Sequence, residues 1–597
     1  MTYAEAVSHL YSLGPELSPR TPGAPLRKFD LAHMRMLCAA LGNPQDRVPA
    51  ILIAGTNGKG STAATLASIF TAAGYRTGLY TSPHLIRPNE RIQLAHIAGA
   101  SDPFAAGKIN PLTTIPTPVL PSEYGNLAAH ADGPLALSPI SDEDFAALYT
   151  RVDEACTRLT EAGQLPVLPS FFERLTALAF LYFAGPPPEH PVPAFLQSHG
   201  SLLSSRSQSS SSSLSEAERS AAEELTTSFT PAEIMILEVG LGGRLDATNI
   251  VTPLLSIITD IALDHQEYLG NTIAEITAEK CGILRENGIL VTLPQLAEAN
   301  QAIGLAATTL HVRGVNAAPY IPPPLRHTET PVSAQSPQSP VAQTGGSMEF
   351  QPHESSLKLE GASAPATLPR NHYTISLEDN SGTLEIDSPL PGHHQQRNIA
   401  LAIAAALEIR NQTGDKSNSI SNQTSYNLSN AAIEAGIRNT QWPGRLELIK
   451  LPSENGHPAH LLLDVAHNPA GAWTLRSAIA ALPQEQPRTL IFSCLRDKSL
   501  QEMSRILFPL FDSTEDGDPL RRHDHIILAP ISSPRAAPIE DLIAAAKSLG
   551  IPAHAAPHLA GALAQARQIT PANGLILATG SVYLVGEIRL LALEPNA

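Results

Sequence analysis

Residues 51–62 read Ile-Leu-Ile-Ala-Gly-Thr-Asn-Gly-Lys-Gly-Ser-Thr, an apolar run that passes into a glycine-rich turn. The apolar run predicts a buried strand, and the turn predicts the start of a helix whose amides bind phosphate. Lys59 would reach the β- and γ-phosphates, and the hydroxyls after it would bind Mg²⁺. The stretch departs from the P-loop consensus, because Ile53 replaces its first glycine and Gly60 replaces the hydroxyl residue after the lysine. We interpret it as a phosphate-binding loop; a tight connection without a ligand is the alternative.

Composition narrows the class of protein. A chain of 597 residues, 43% hydrophobic and 16% charged, is long enough for two or more globular domains. A net charge of −17 argues against a nucleic-acid partner but not against ATP, because Mg²⁺ and local loops set the field at a nucleotide site. Four scattered cysteines fit a reducing compartment. With no signal peptide and no apolar run of about 18 residues, we expect a cytoplasmic protein without a membrane partner.

Strand and helix signals alternate along the chain, which predicts mostly parallel sheets covered by helices. The predicted strands before the middle of the chain are 51–54, 234–239, 254–258 and 288–292, and the predicted helices are 61–73, 170–183 and 397–410. Past Trp442 the alternation restarts, with strands expected at 461–465, 489–493, 525–529 and 575–578. The expected fold is therefore α/β, with a P-loop-type ATP-binding domain over 1–440 and a Rossmann-like α/β domain over 441–597. Segments 99–138, 185–230 and 317–371 have compositions typical of surface insertions, partly disordered.

Three positions carry the strongest chemical signals outside the loop. Glu238 ends an apolar strand, where open α/β sheets bind ligands, so it is predicted to hold Mg²⁺; a salt bridge at the strand end is the alternative. His265 is a candidate ligand for a second divalent ion, or a structural histidine. Lys280 closes a helical stretch, and its spacing alone indicates no more than a cation at a helix C-terminus.

Taken together in order, these motifs resemble the folylpolyglutamate synthase/dihydrofolate synthase family, a branch of the Mur ligase superfamily. The resemblance extends over most of the chain outside the insertions. The segments that carry it are 28–31, 41–45, 55–61, 81–85, 89–92, 170–173, 176–180, 238–249, 264–265, 279–283, 394–398, 442–445, 464–469, 497–498 and 580–581.

The resemblance implies a role for each matching residue. The residues implied to bind ATP are Gly55, Thr56, Asn57, Gly58, Lys59, Gly60, Ser61, Thr62, Asn398, Arg445 and Asp464. Two Mg²⁺ sites are implied, the first with Ser82, Glu238 and Ser61, the second with His265 and a carbamate on Lys280. The residues implied to contact the other substrates are Glu173, Leu245, Asp246 and Ala247 near the pterin, His467 near the incoming glutamate, and Ser581. Lys59, Lys280 and His467 are the implied catalytic residues.

The implied reaction is an ATP-dependent ligation. A folate or dihydropteroate carboxylate would attack the γ-phosphoryl group to form an acyl phosphate, which the amine of L-glutamate then attacks, giving ADP and phosphate. The resemblance makes 441–597 a glutamate-ligase domain, and a monomer is expected. Whether the enzyme is a dihydrofolate synthase, a folylpolyglutamate synthase or both stays open.

Two alternatives compete with this interpretation. A cell-wall Mur ligase shares the ATP chemistry, but those enzymes resemble one another in placing a UDP-sugar domain of about a hundred residues ahead of the loop, a usual domain size. Only fifty-odd residues precede the loop here. A non-catalytic nucleotide-binding switch would not require Glu238, His265 and Lys280 together, whereas a ligase requires all three.

Overall fold

The computed structural model describes residues 1–13, 31–97, 135–185, 230–323, 368–377, 382–412, 426–451 and 460–593. Most of the three predicted insertions and residues 28–30 lie outside these ranges. One part of the insertion prediction is wrong, because residues 135–138 belong to the strand Leu135–Pro139, which pairs antiparallel with Ile92–Ile97. An edge strand tolerates proline and partly exposed side chains, so its composition resembles that of a surface loop. The ends of the third insertion also belong to the fold, as a helical turn at Ala318–Tyr320 and the start of a strand at Asn371.

Helices cover both sheets. The α-helices of the described residues are α1 Tyr3–Ser12, α2 Leu31–Ala40, α3 Lys59–Ala72, α4 Asp142–Glu161, α5 Phe171–Ala184, α6 Gln266–Leu269, α7 Ile273–Cys281, α8 Ala297–Thr309, α9 His393–Gln412, α10 Asn430–Arg438, α11 Pro469–Ala480, α12 Leu500–Leu507, α13 Ile539–Ser548, α14 Leu559–Ile569 and α15 Val582–Leu593. Within the described part of the chain, no helix is long and apolar enough to cross a bilayer.

The first half of the chain builds an eight-stranded sheet. Its strands are β1 Ala50–Ala54, β2 Thr77–Tyr80, β3 Ile92–Ile97, β4 Leu135–Pro139, β5 Ile234–Glu238, β6 Pro253–Ile258, β7 Ile289–Thr292 and β8 Arg313–Asn316. The order across the sheet is β4-β3-β2-β5-β1-β6-β7-β8, and only the pairs made by β3 are antiparallel. A separate antiparallel hairpin joins β9 Asn371–Ser376 to β10 Thr383–Ser388.

Strand β1 shows why this sheet is covered on both faces. All five of its residues are buried, as a central parallel strand requires. Leu52 faces a core shared with α1, α2, α4 and α5, whereas Ile51 and Ile53 face a second core shared with α3, α9 and α10. Helix α3, which begins at the glycine-rich turn, is therefore packed along its length between the sheet and α10.

The second half of the chain builds a six-stranded sheet. Its strands are β11 Glu447–Lys450, β12 His460–Leu463, β13 Arg488–Phe492, β14 His525–Leu528, β15 His554–Ala555 and β16 Leu575–Thr579. The order is β11-β12-β16-β13-β14-β15, and only the β11–β12 pair is antiparallel. Two buried apolar clusters lie on its two faces.

The predicted fold class is confirmed, since both halves are α/β with mostly parallel sheets. The predicted strands lie within one or two residues of the observed ones, and α9 begins four residues earlier than predicted, at His393. The proposed boundary between residues 440 and 441 falls after α10 and before β11 and remains a prediction.

The packing of α10 on α3 provides a test of the fold. A Cβ atom added at Gly436 would lie 2.3 Å from Cα of Ile69, so the two backbones must separate to admit it. We expect Gly436→Ala to lower the free energy of unfolding by about 2 kcal/mol, measured by urea denaturation. The matched control is Gly304→Ala on exposed α8, where nothing lies within 4 Å and the better helix propensity should add about 0.5–1 kcal/mol. Equal effects of the two substitutions would contradict this packing.

Candidate active site

The strand order brings the predicted site residues to one edge of the first sheet. Strands β2, β5, β1 and β6 are neighbours and run parallel, so their carboxyl ends meet. Ser82 follows β2, Glu238 ends β5, Gly55 follows β1, and Asp260 follows β6. Residues far apart in sequence are therefore placed side by side.

The glycine-rich turn places the N-terminus of α3 at this edge. Gly58 caps the helix with φ +88°, and a Cβ atom there would lie 2.1 Å from Oδ1 of Asn398. The backbone N–H groups of Thr56 and Asn57 donate to the carbonyl of Asp260, over 2.9 and 3.1 Å, so they are already used. The amides with no intrahelical partner are those of the first turn of α3, where an anion is stabilised.

An ion pair that the sequence reasoning missed holds this turn in place. Arg397 on α9 donates from Nε and Nη2 to both carboxylate oxygens of Asp260, over 3.0 and 2.5 Å, and from Nη2 to the carbonyl of Pro294. The backbone of Asp260 in turn accepts from the loop. The available signal was an aspartate just after a buried strand, but nothing in the sequence pairs it with Arg397.

Glu238 and Ser82 lie together. The buried carboxylate of Glu238 accepts the N–H of Ser82 over 3.1 Å. Burial raises the pKa of Glu238, and Lys59 is the largest opposing influence. A buried carboxylate with one backbone donor fits a hard cation that would replace the lost solvation. Ser61 is buried in the first turn of α3.

No group of three or more histidine, cysteine, aspartate or glutamate side chains in the described residues could hold a metal by itself. A cation here would therefore need ligands beyond protein carboxylates and imidazoles, such as hydroxyls, phosphate oxygens and water, as Mg²⁺ commonly has.

Lys280 is buried in the last turn of α7. Its Nζ donates to the carbonyl of Gly55 over 2.6 Å, which ties α7 to the phosphate-binding loop. Burial and then the charge of Lys59 lower the pKa of Lys280 to about 7, so a neutral amine is accessible near neutral pH.

Asp264 joins the two sheets. Its carboxylate accepts from Nζ of Lys498 over 2.6 Å and from Nδ2 of Asn468 over 3.1 Å, and Nε2 of His265 and of His467 each lie 3.8 Å away. Although burial alone would raise the pKa of Asp264, the charge of Lys498 is the largest influence that holds it well below its usual range.

The surroundings of the two histidines beside Asp264 favour their neutral form. Burial and the nearby Lys498 lower the pKa of His265 to about 3 and that of His467 to about 4. Nδ1 of His467 donates to the carbonyl of Val465 over 2.8 Å, so the neutral ring leaves Nε2 as an acceptor. His265 has φ +51° and directly precedes α6.

The residues predicted to bind the rest of the nucleotide lie where the two halves meet. Asn398 is buried and donates to Oε1 of Gln395 over 2.9 Å. The carboxylate of Asp464 accepts the N–H groups of Leu446 and Ala466. The negative charges of Asp464 and Glu238 act to raise the pKa of Arg445. Burial nevertheless lowers the pKa of Arg445.

The residues predicted to contact the pterin organise their own turns. Glu173 caps α5 by accepting from the N–H and Oγ of Ser170, over 2.8 and 2.7 Å. Asp246 accepts the N–H groups of Gly240 and Leu241 and both donors of Thr248. A Cβ atom on Gly240 would touch Phe172, so the two turns are adjacent, with Leu245 half-buried and Ala247 buried.

Ser581 is buried just after β16, where its Oγ accepts the N–H of Tyr583. The structure thus assembles the loop, Glu238, Ser82, Lys280, His265 and His467 at the facing edges of the two sheets. It also adds Asp260, Arg397, Asp264, Asn468 and Lys498, to which the sequence reasoning assigned no role.

Comparisons with known proteins find similar sequences and similar folds. Residues 444–582 match the model of the Mur ligase glutamate ligase domain. Over 94% of each chain, the protein is 28% identical to the dihydrofolate synthase/folylpolyglutamate synthase of Bacillus subtilis. It is 27% identical to the corresponding protein of Mycobacterium tuberculosis, over 94% of this chain and 89% of that one.

Solved structures share the fold. The folylpolyglutamate synthase of Mycobacterium tuberculosis complexed with ADP superimposes with a TM-score of 0.63 at 24% identity, over 99% of this chain and 98% of that one. The Thermotoga maritima folylpolyglutamate synthase gives 0.59 at 25% identity, over 100% and 97%. Fold and site together define an α/β ligase of the Mur type. In sequence and in fold the chain is similar to folylpolyglutamate synthases and dihydrofolate synthases.

The contact between Asp264 and Lys498 can be tested by a double-mutant cycle. Both side chains are at least nine-tenths buried, so Asp264→Asn leaves a buried ammonium without its counter-ion and should cost about 3 kcal/mol of unfolding free energy. Lys498→Met in the same chain should recover part of that loss. Arg370→Gln, which breaks the half-exposed pair with Asp387, is the control and should cost at most about 1 kcal/mol.

The pH dependence has a defined sign. A carboxylate whose folded pKa is depressed contributes its full stability above its unfolded pKa of about 4 and loses it as the pH falls further. The carboxylate contribution to the difference between wild type and Asp264→Asn should therefore be complete at pH 5 and shrink as the pH falls below 4. A difference that grows as the pH falls below 4 would contradict the pairing.

Proposed function

We propose that this protein is an ATP-dependent ligase that adds L-glutamate to the carboxylate of a folate or of dihydropteroate, through an acyl phosphate, with release of ADP and phosphate. The observation that carries the proposal is the placement of Lys59, Glu238 and Lys280 at one sheet edge. Asp264 ties that edge to the glutamate-ligase half through Lys498 and Asn468. The names of the relatives give the substrate class.

ATP would lie with its phosphates at the N-terminus of α3. Lys59 and the free amides of that turn would stabilise the negative charge of the phosphates, as phosphoryl transfer that depends on positioning requires. Arg445, whose positive charge is opposed by those of Asp464 and Glu238, would contact the phosphates from the other half, and Asn398 would face the base. Arg397 and Asp260 act as positioning residues, because they fix the loop backbone.

Mg²⁺ would be held by Glu238 and Ser82 with Ser61 nearby at the first site, and by His265 and a modified Lys280 at the second. When bound, Mg²⁺ lowers the energy of the charge that builds up on the transferring phosphoryl oxygens. The neutral state of His265 suits a ligand, because only an unprotonated ring nitrogen can bind a cation.

The remaining steps depend on residues of this chain. The acceptor carboxylate would lie between the turns of Glu173 and Asp246 and the phosphate loop. His467 and Ser581 approach from the other half, with His467 placing the incoming amine near the activated carbonyl. The contacts of Asp264 keep the two halves together, which excludes water from an acyl phosphate that water would hydrolyse.

Lys280 supports a more specific proposal, a carbamate on its Nζ. The neutral amine attacks CO₂, a C–N bond forms and one proton is released, so the side chain becomes an anionic oxygen ligand. The carbamate nitrogen keeps one hydrogen, and the bond from Nζ to the carbonyl of Gly55 can therefore persist.

The direct test of function is a phosphate-release assay with ATP, glutamate and either dihydropteroate or tetrahydrofolate. Release that needs all three substrates supports the ligase and tells which acceptor is used. ATP hydrolysis at the same rate with and without either acceptor would favour the nucleotide-binding switch. Phosphate release that depends on a UDP-linked acceptor would favour the cell-wall ligase.

Lys59→Ala should abolish turnover while the protein remains folded, because alanine removes the charge directed at the phosphates. The expected loss is at least about a hundredfold in kcat. Lys547→Ala, on the exposed end of α13, is the matched control and should keep wild-type turnover. Normal turnover by a folded Lys59→Ala protein would contradict the assignment.

The carbamate predicts a pattern that a lysine cation cannot give. Lys280→Ala should be inactive and partly rescued by formate or acetate, which supply an anionic oxygen. Lys280→Arg keeps the positive charge but cannot be carbamylated, so it should be inactive without rescue. A carbamate carbon signal in the NMR spectrum of wild type equilibrated with ¹³C-bicarbonate should vanish in both variants. Activity in Lys280→Arg would contradict the proposal.

A further inference from the structure

Two buried arginines lie at the opposite edge of the C-terminal sheet from the active site. Arg488 begins β13, and Arg521 lies just ahead of β14 in the helical turn Pro519–Arg521. Their exposed fractions are 3% and 4%, whereas guanidinium groups are almost never fully buried unless they are paired. Asp464 and Ser581 lie at the carboxyl ends of β12 and β16, so this cluster is separate from the site described above.

The counter-charge beside these arginines is incomplete. Asp524, fully buried, accepts the N–H of Arg488 over 2.8 Å and Nη1 of Arg521 over 3.1 Å. Asp524 thus contacts the guanidinium of Arg521 but only the backbone of Arg488, so one carboxylate stands against two guanidinium charges and leaves a surplus of positive charge. Burial and then the charge of Arg521 lower the pKa of Arg488 to about 10, as expected where two cations share too little negative charge.

Three donors of the cluster have no hydrogen-bond partner among the described residues: Nε of Arg488, and Nε and Nη2 of Arg521. The other guanidinium contacts are to backbone carbonyls, Nη2 of Arg488 to Pro483 and Nη1 of Arg521 to Gln486. A buried donor without a partner costs about 1–3 kcal/mol, so three on two adjacent cations indicate a missing acceptor.

The unused donors of Arg521 form the bidentate edge of the guanidinium. In Arg397 the same pair, Nε and Nη2, meets the two carboxylate oxygens of Asp260 over 3.0 and 2.5 Å. This edge suits an anion, and a charged acceptor gives the strong form of the bond. In Arg521 the edge is buried, which limits the acceptor to a small species.

We propose that Arg521 and Arg488 form a binding site for a small monovalent inorganic anion, such as chloride or nitrate, within the C-terminal half of the protein. The anion accepts from Nε and Nη2 of Arg521 and from Nε of Arg488, and it neutralises the charge that Asp524 leaves. Its binding stabilises the folded protein without taking part in the ligase reaction.

The site is tested first without any substitution. Crystals of the full chain grown with sodium bromide in place of chloride should show an anomalous peak at hydrogen-bonding distance from the Arg521 edge. The proposal is overturned if that position holds only a water molecule, or if it shows no density at saturating bromide. A peak without any effect of the anion on the protein in solution means binding at crystal concentration only and also overturns it.

In solution, the melting temperature is measured at constant ionic strength while sodium gluconate is exchanged for sodium chloride or sodium nitrate. Binding to the folded state predicts a saturable rise, of about 3 °C at 200 mM. Chloride and nitrate distinguish a spherical from a planar ligand. Arg521→Gln should abolish the rise, and Arg522→Gln, its exposed neighbour, should keep it. If Arg521→Gln does not fold, the bromide experiment still decides the question. A rise of equal size in the folded Arg521→Gln variant contradicts the site.

Discussion

The parallel order β2-β5-β1-β6 is the constraint on which the rest of this structure depends. Because these neighbouring strands end at the same edge, the loop after β1 lies at the same edge as Ser82, Glu238 and Asp260. The same order buries β1 on both faces and so fixes the direction of α3, whose N-terminus supplies the phosphate-binding amides.

Charge within this edge is balanced over long sequence distances. Lys59 offsets buried Glu238, Arg397 neutralises Asp260, and Lys498 neutralises Asp264. Lys280 differs, because the described contact of its Nζ is to a carbonyl rather than to a carboxylate. A buried amine beside a second lysine is easily deprotonated, and this is the state that reacts with CO₂.

The sequence predicts what depends on neighbouring residues and misses what depends on distant ones. Apolar runs bounded by glycine located β1, β5 and β16, and the glycine-rich turn located the start of α3. By contrast, Lys280 contacts Gly55 across 225 residues, Arg397 contacts Asp260 across 137, and Lys498 contacts Asp264 across 234. Glu173 and Asp246 were predicted on family resemblance, and only the structure shows that their carboxylates cap local turns. The strand at 135–139 was missed because an edge strand needs little apolar sequence.

The central claim is that a substrate carboxylate attacks the γ-phosphoryl group of ATP. It is tested most directly by labelling the acceptor carboxylate with ¹⁸O, running the reaction with ATP and glutamate, and measuring the mass of the released phosphate. An acyl phosphate transfers one ¹⁸O from the carboxylate to each phosphate, because the bridging oxygen leaves with phosphorus when the amine attacks. Phosphate without the label, formed together with the glutamylated product, would contradict the account.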